Sequence, residues 1–246
     1  MNIITSKANN VVKKAKKLHH KKYRKDSYLI EGWHLFEEAV SSGAELIRIF
    51  ALAEYAERLA DFSQVIFVSP EILADLADSK TPQGIVAEVS FEREEIPAEL
   101  SGRYLFLEDV QDPGNVGTMI RTADAAGFDG VFISRLSADI YNLKTLRSMQ
   151  GSHFHLPVYR IDTADFIRLA RSSSLPILAS TLSSTSIDYK EVDSKESFAL
   201  VMGNEGQGIS PEMTAAADLL VHISMKGQAE SLNVAVAAGI LIFHLS

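Results

Sequence analysis

Six short, strongly apolar runs recur in the C-terminal part of the chain, separated by helix-like and polar segments. They lie at residues 104–107, 130–133, 156–159, 176–179, 198–202 and 219–223. Unbroken apolar character at strand length is typical of strands that are buried on both faces, as in a parallel sheet covered by helices. The alternation of these runs with helix-like segments therefore predicts an α/β domain with a mostly parallel sheet.

A second, smaller α/β unit is predicted in the N-terminal part. Strand-like runs there occupy residues 28–31, 46–52, 65–68 and 84–89, and helix-like runs occupy residues 32–42, 53–61 and 70–77. Residues 91–102 are acidic, contain Pro97 and Gly102, and lack periodicity, which is typical of a linker. We therefore predict two domains, residues 1–97 and residues 98–246.

Charge is distributed unevenly along the chain. The first 25 residues hold nine Lys or Arg and no acidic residue, whereas the rest contains 15 basic and 32 acidic residues, a net charge of −17. Ser6 is the predicted cap of a first helix, in which Val11, Ala15 and Leu18 recur at helical spacing. The pattern predicts a cationic, anion-binding face, with an ordinary solvated helix face as the alternative. The candidate binding residues are Lys13, Lys14, Lys16, Lys17, Lys21, Lys22 and Arg24.

Composition and hydropathy exclude several classes of protein. The absence of cysteine excludes structural disulfides and thiolate-bound zinc. The N-terminus is basic and polar, unlike a signal peptide, and the longest nearly unbroken apolar run, residues 234–243, is too short to span a bilayer. We expect a soluble, cytoplasmic protein without membrane contact. His153 and His155 would share one face of a strand, but no third ligand is evident, so no metal site is predicted.

The first of three notable loops follows the predicted strand at 104–107. Residues 112–115 read Asp-Pro-Gly-Asn, which is typical of a turn, and Asn115 is a predicted cap for the next helix. Arg121 then lies in the first two turns of that helix. We predict that Asn115 and Arg121 face a shared site. The alternative is an ordinary strand–turn–helix connection with a surface arginine.

The second loop, residues 202–211, contains three glycines that let the backbone approach a ligand closely or adopt a positive φ. Ser210 and Pro211 read as the cap and first residue of a helix. The loop matches neither a P-loop nor a dinucleotide-binding fingerprint. Glu205 would repel a phosphate but tolerate a cation or a hydroxyl, so a sulfonium ligand fits better than a nucleoside triphosphate. A plain glycine-rich loop is the alternative.

The third loop, residues 223–233, leads into a helix at about 232–245 that is apolar nearly all round. Such a helix must be buried, in the core or at a subunit contact. Ser231 is its predicted cap. Asn233 is the one polar residue near its start, and a buried amide needs hydrogen-bond partners. Those partners are either a ligand or the neighbouring loops.

Taken together and in this order, the three loops resemble the SpoU/TrmH family of trefoil-knotted (SPOUT) methyltransferases. The similarity spans about 104–245 and rests on residues 112–117 with 121–123, 203–206 and 231–234. Thr5, Ser6, the lysine-rich helix and residues 29–32 resemble, more loosely, the substrate-binding extension of that family. That extension is a small α/β domain similar to RNA-binding ribosomal proteins.

The resemblance implies a ribose 2′-O-methyltransferase that uses S-adenosylmethionine and acts on RNA, with ribosomal RNA favoured by the separate N-terminal domain. It also implies a C-terminal trefoil knot, a homodimer formed through the knotted domain, and RNA binding by the cationic N-terminal residues. Residues 147–154 resemble a further family element that lines the RNA site. The implied cofactor-binding residues are Gly203, Ile223, Met225, Leu232, Ser231 and Asn233.

In the same family pattern, Arg121 is the catalytic arginine, and Asn115 and Glu205 orient it and the ribose. Because an arginine side chain stays protonated in proteins, we expect Arg121 to stabilise the developing alkoxide rather than to act as a base. One alternative is a non-catalytic RNA-binding module that kept the fold, against which the intact Arg121 and Asn115 argue. A second is base methylation, which the arginine-centred first loop disfavours.

Overall fold

The described part of this computed structural model comprises residues 2–91 and 95–246. It forms two compact units. The first contains the residues before the 92–94 gap together with residues 139–154, and the second contains the residues after the gap to 138 together with 155–246. The predicted linker at 91–102 lies partly outside the described residues. The predicted division after residue 97 stays a prediction, and the compact units differ from it by residues 95–97 and 139–154.

The strands and helices follow the predicted pattern closely. The described strands are β1 Ser27–Glu31, β2 Leu46–Ala51, β3 Val65–Phe67, β4 Ile85–Ser90, β5 Arg103–Leu107, β6 Gly130–Ile133, β7 Val158–Arg160, β8 Ile177–Ser180, β9 Ile187–Asp188, β10 Phe198–Met202 and β11 Leu219–His222. The described α-helices are α1 Asn10–Lys17, α2 Trp33–Ser41, α3 Pro70–Leu76, α4 Pro113–Ala125, α5 Leu143–Met149, α6 Thr163–Ser172, α7 Pro211–Ala216 and α8 Val234–Leu245.

The first unit is built on a four-stranded sheet in the order β1-β4-β2-β3. β4 pairs antiparallel with both β1 and β2, while β2 and β3 are parallel. The four predicted strand runs are confirmed. The helix predicted over 53–61 is wrong, since only Ala53–Tyr55 forms a single 3₁₀ turn. The backbone bonds that follow are mostly of the turn type, such as Ala60 N–H to the Glu57 carbonyl, and a single bond between residues four apart, Leu59 N–H to the Tyr55 carbonyl, does not continue into a helix.

The first helix starts later than predicted. Asn9, not Ser6, caps α1, because the Asn9 side chain accepts a hydrogen bond from the Val11 N–H. Val12 and Ala15 are its buried residues. The helix ends at Lys17, and Lys21–Tyr23 form a separate 3₁₀ turn. The N-terminal cations therefore lie on two elements rather than on one long helix.

The second unit is built on a seven-stranded sheet in the order β7-β6-β5-β10-β8-β11-β9. Every neighbouring pair in it is parallel. All six predicted strands are confirmed, and β9, only two residues long, was not predicted. Phe106 and Phe166 stack in its core with their ring centroids 4.2 Å apart. Because the strands are parallel, the loops after β5, β10 and β11 leave the same edge of the sheet.

The last helix was predicted to be buried either in the core or at a subunit contact, and within one chain only one of its faces is buried. Ala238, Leu241 and Ile242 are fully buried, and α8 packs against α4. Val236 is 52% exposed and Phe243 is 60% exposed. One face of α8 is therefore apolar and open in the single chain. Across residues 2–91 and 95–246, no helix combines the length and the apolar character needed to cross a membrane.

Candidate active site

A pocket of about 510 Å³ opens in the second unit where β8, β10 and β11 end and α8 begins. Five of the six predicted cofactor-binding residues line it, and so does Glu205. The lining residues from the prediction are Gly203, Ile223, Met225, Ser231 and Leu232. The glycine-rich loop and the third loop therefore meet at one cavity. The pocket lies at the carboxyl edge of a parallel sheet, where ligands bind in open α/β folds.

The two ends of the second loop lie so close together that position 203 has no room for a side chain. A Cβ added at Gly203 would lie 2.3 Å from the Gly208 carbonyl carbon and 2.4 Å from the Ile209 nitrogen. Asn204 and Gly208 exchange two backbone hydrogen bonds of 2.9 Å that close this loop. Glycine was predicted here to let a ligand approach the backbone. In the structure, the backbone that approaches Gly203 is that of Gly208 and Ile209 in the same loop.

A chain of side-chain amides and one carboxylate joins the three loops. The Glu205 carboxylate accepts hydrogen bonds from the backbone N–H groups of Gln111 and Asp112, at 3.1 and 3.0 Å. It also accepts one from Asn115 Nδ2 at 3.1 Å. Asn233 Nδ2 in turn donates to Asn115 Oδ1 at 3.0 Å. The predicted residues Asn115, Glu205 and Asn233 are thus brought together directly.

Asn233 does not line the pocket, and it has the capping role that was assigned to Ser231. Its side-chain oxygen accepts hydrogen bonds from the N–H groups of Ala235 and Val236, so α8 begins after it. The sequence left either a ligand or the neighbouring loops as partners of the Asn233 amide. In the structure its partner is Asn115, where the first loop leads into α4. Ser231 is an exposed pocket residue instead, two positions before the cap.

The cap predicted at Asn115 is also wrong, and it lies about one turn too late. Asp112 caps α4 by accepting a hydrogen bond from the Asn115 N–H at 3.0 Å, and Pro113 occupies the first helical position, where its missing N–H costs nothing. Because Asp112 performs this role, the Asn115 amide is available for Glu205 and Asn233. The predicted cap of α7 is confirmed, since Ser210 Oγ accepts from the Met213 N–H.

The environment of Glu205 keeps its side chain ionised. Burial, the largest single influence, raises the pKa of Glu205, but hydrogen bonds from the Asn115 amide and the backbone N–H groups of Asp112 and Gln111 together outweigh it. The pKa of Glu205 is therefore lowered from its ordinary value of 4.5. At neutral pH the carboxylate is an acceptor only, which matches the three donors that face it.

Arg121 lies on α4, six residues after Asn115, and does not line the pocket. Its side chain is exposed and makes no hydrogen bond or ion pair with any residue that the structure describes. The structure therefore does not join Arg121 to the Asn115–Glu205 pair within one chain. It leaves an uncommitted guanidinium on the surface of the second unit.

Two supporting residues, Glu108 and Asp109, were not predicted. Glu108 is 2% exposed and accepts hydrogen bonds from the N–H and hydroxyl of Ser210, at 2.8 and 2.7 Å. Asp109 has a left-handed backbone, with φ of 56°, and its carbonyl accepts from Asn204 Nδ2 at 2.8 Å. These contacts are further links between the first loop and the second. An acidic pair at the carboxyl end of a buried strand was the available signal.

His222 is a further pocket residue that the sequence did not indicate. It is the last residue of β11, and its Nδ1 lies 3.0 Å from Ser186 Oγ. His153 and His155, predicted to share a strand face, fall in different units. The His153 ring bonds the Tyr28 hydroxyl at 2.9 Å, whereas His155 lies near Asp124. The described residues contain no group of three or more potential metal ligands.

In the first unit, most of the predicted cations line a concave surface that encloses a volume of about 630 Å³. The predicted residues that line it are Lys13, Lys14, Lys16, Lys17 and Lys22. Lys16 is also paired with Asp75 at 2.6 Å. The structure does not place Arg24 with them, because its side chain is only 4% exposed and is ion-paired with Asp139. Lys21 is exposed on the 3₁₀ turn that also contains Lys22, but it does not line this surface.

A parallel α/β sheet whose loops form a pocket at its carboxyl edge is typical of an enzyme that binds a cofactor or substrate there, and the lysine-lined surface of the first unit is suited to a polyanion. Comparison with known proteins makes this more specific. Residues 102–243 match the SpoU rRNA Methylase family, and residues 9–87 match an MRM3-like substrate binding domain. The chain belongs to the SpoU rRNA methylase family.

Individual members of the family are similar to this chain over nearly their whole length. The chain is 41% identical to the Bacillus subtilis 23S rRNA (guanosine(2553)-2'-O)-methyltransferase RlmP, over 100% of this chain and 99% of that protein. An AdoMet-bound rRNA methyltransferase from Sinorhizobium meliloti superposes with a TM-score of 0.89 at 32% identity, covering 99% of this chain and 97% of that one. The SpoU methyltransferase AviRb from Streptomyces viridochromogenes, in complex with AdoMet, gives 0.84 at 27% identity, covering 96% and 97%.

Proposed function

We propose that this protein transfers a methyl group from S-adenosylmethionine to a ribose 2′-hydroxyl of ribosomal RNA. The observation that carries the proposal is the pocket at the end of β10 and β11, which adjoins the hydrogen-bonded Glu205–Asn115–Asn233 chain. The names of the relatives support the reaction and the cofactor. They do not favour the alternative of a non-catalytic RNA-binding module.

The residues of the pocket fit this cofactor. Ile223, Met225 and Leu232 supply apolar surface for an adenine ring, and the backbone at Gly203 is held close by its closed loop. The Glu205 carboxylate adds an anion where a sulfonium cation is acceptable and a phosphate is not. When bound, S-adenosylmethionine supplies the activated methyl group, which leaves the protein to position the ribose hydroxyl.

The hydrogen-bonded chain of Glu205, Asn115 and Asn233 holds the loops in place before substrate binds. Correct placement of a reacting group can be worth roughly 7–11 kcal/mol of barrier in favourable cases. In our proposal Asn115 and Glu205 orient the ribose, Ser231 lines the adjoining pocket, and Asn233 shapes the site by holding the Asn115 side chain. Arg121, which is exposed and uncommitted, stabilises the developing alkoxide and an adjacent phosphate.

The role of Arg121 is tested by its substitution. Arg121→Ala should lower the methylation rate by about 10²–10³, the scale of losing one electrostatic donor, with little change in cofactor affinity. Arg121→Lys should also fail, because a point charge does not replace a planar fork. Arg171→Ala, which removes another exposed helical arginine of the second unit, is the matched control. Near wild-type turnover in Arg121→Ala would remove Arg121 from the mechanism.

The remaining parts of the proposal concern partners and organisation. We propose that residues 1–97 bind RNA and that residues 98–246 form the knotted methyltransferase domain. A homodimer is supported by the open apolar face of α8 at Val236 and Phe243. A ribosomal RNA substrate would place the enzyme in the cytoplasm. Mapping ribose methylation in cellular RNA with and without the protein would identify the nucleotide.

A further inference from the structure

An aromatic side chain stands exposed among the lysines of the first unit. Tyr23 ends the 3₁₀ turn that follows α1, and it is 43% exposed. Its ring lines the same concave surface as the lysines of α1. A tyrosine that packs in a core would be buried among apolar residues, and Tyr23 is not. An exposed ring in a cationic concavity is typical of a binding surface rather than of a core.

Three cationic or basic side chains surround the ring. Lys22 Nζ lies 4.9 Å and Lys17 Nζ lies 5.6 Å from the ring centroid. The His20 ring meets the Tyr23 ring edge-on, with centroids 6.4 Å apart. The surface thus combines a planar aromatic ring with two cations close to it. These are the two features by which proteins bind single-stranded nucleic acid.

The relative strengths of the competing contacts favour a base over the lysines. A lysine over an exposed ring stabilises that arrangement by roughly a factor of 2–5. Stacking of one nucleobase on an aromatic side chain contributes roughly 5- to 150-fold in affinity. An incoming base can therefore displace a lysine from the ring face. The displaced ammonium group is long and flexible enough to contact the phosphate next to that base.

We propose that Tyr23 is a stacking platform for an unpaired nucleobase of the RNA substrate, and that Lys17 and Lys22 bind the phosphates on either side of it. This inference rests on the proposed RNA substrate and adds the class of structure that is bound. The face of a base is accessible in a loop, a bulge or a single strand, but not in a stacked duplex. The first unit therefore recognises an unpaired segment.

The test is a binding titration by fluorescence anisotropy over a series of salt concentrations. The probes are a labelled single-stranded RNA and a blunt duplex of equal length, with the full-length protein. Tyr23→Leu should weaken single-strand binding by roughly 5- to 150-fold without changing the slope of log affinity against log salt, and duplex binding should not change. Tyr23→Phe should bind like the wild type. Replacing Lys17 and Lys22 by glutamine should reduce the slope by about 1.4.

A matched control tests whether any ring beside a lysine has the same effect. Tyr189→Ala removes a ring in the second unit that also has a lysine over it, at 5.8 Å, and it should not affect RNA binding. Equal loss of single-strand and duplex binding in Tyr23→Leu would mean that Tyr23 only supports the lysines, and would overturn the proposal. If Tyr23→Leu bound RNA like the wild type while the lysine variant bound it more weakly, the stacking role of Tyr23 would be refuted, and the lysine-lined surface would still be an RNA-binding site. If neither variant changed affinity, the proposal that this surface binds RNA would itself be wrong.

Discussion

The sharpest test of the cofactor pocket is the addition of one methyl group at Gly203. The Gly203→Ala side chain would lie 2.3–2.5 Å from three backbone atoms of Gly208 and Ile209. Ordinary van der Waals contact begins near 3.4 Å. The obstructing atoms are backbone, so no change of rotamer can relieve the collision. The loop must open by about 1 Å, which is more than a close-packed interior accommodates without cost.

The cost follows from the contacts that the opening would break. Asn204 and Gly208 share two backbone hydrogen bonds, and each contributes about 0.5–1.5 kcal/mol. Loss of both disfavours the closed loop by about 1–3 kcal/mol, a factor of roughly 5–150. Asn204 and Glu205 line the pocket from this loop, so S-adenosylmethionine affinity should fall by a similar factor. The melting temperature should fall as well, because the collision exists without cofactor.

Gly206 is a matched control within the same loop. A Cβ there would meet only Asn204 Oδ1, at 3.7 Å, and its φ is not in the left-handed region. Gly206→Ala should therefore bind S-adenosylmethionine within about twofold of the wild type in calorimetry. Equal cofactor affinities and equal melting temperatures for the two alanine variants would refute the argument that loop closure, rather than ligand contact, requires glycine at 203.

Three further outcomes are expected. Because the pKa of Glu205 is lowered on folding, its bonds stabilise the loops at neutral pH, and that contribution is lost as the pH falls through the lowered value, below 4.5. Glu205→Gln should therefore weaken cofactor binding at neutral pH and remove that part of the acid-side loss of stability in melting experiments. Phe243→Glu should convert the proposed dimer into a monomer in light scattering, since Phe243 is 60% exposed on an apolar helix; an unchanged dimer mass would place the interface elsewhere. Asp139→Ala should lower the free energy of unfolding in urea by about 3–5 kcal/mol, because it leaves the buried Arg24 guanidinium without its ion-pair partner, whereas a value near zero would mean that Arg24 is solvated.

The central strands of the second unit could be predicted because they are apolar on both faces. β10, for example, is buried at all five positions, so its sequence is continuously apolar. β9 could not be found in this way, since two residues carry no periodicity. The helix at 53–61 failed for a related reason. Apolar residues at helical spacing also suit a series of turns, and only the backbone bonds distinguish the two.

Helix caps were the least predictable feature of the site. Asp112 and Asn115 both belong to residue types that cap helices, as do Ser231 and Asn233. The choice between Asp112 and Asn115 is coupled to Glu205, which lies 90 residues beyond Asn115 along the chain and accepts its amide hydrogen. Local sequence contains no information about such a partner. The same limit applies to Arg24, whose charge is paired with an aspartate 115 residues away.

The discontinuity of the first unit constrains how such a gene could be rearranged. Tyr28 of β1 packs against Tyr141, with ring centroids 4.6 Å apart, and bonds His153 at 2.9 Å, although both partners are encoded inside the stretch that forms the second unit. Recombination that exchanged only the 5′ part of the gene would separate β1 from the insertion that covers it. We therefore expect residues 139–154 to be inherited together with the N-terminal sheet, so that substitutions at Tyr28 are accompanied by substitutions at Tyr141 or His153 among descendants.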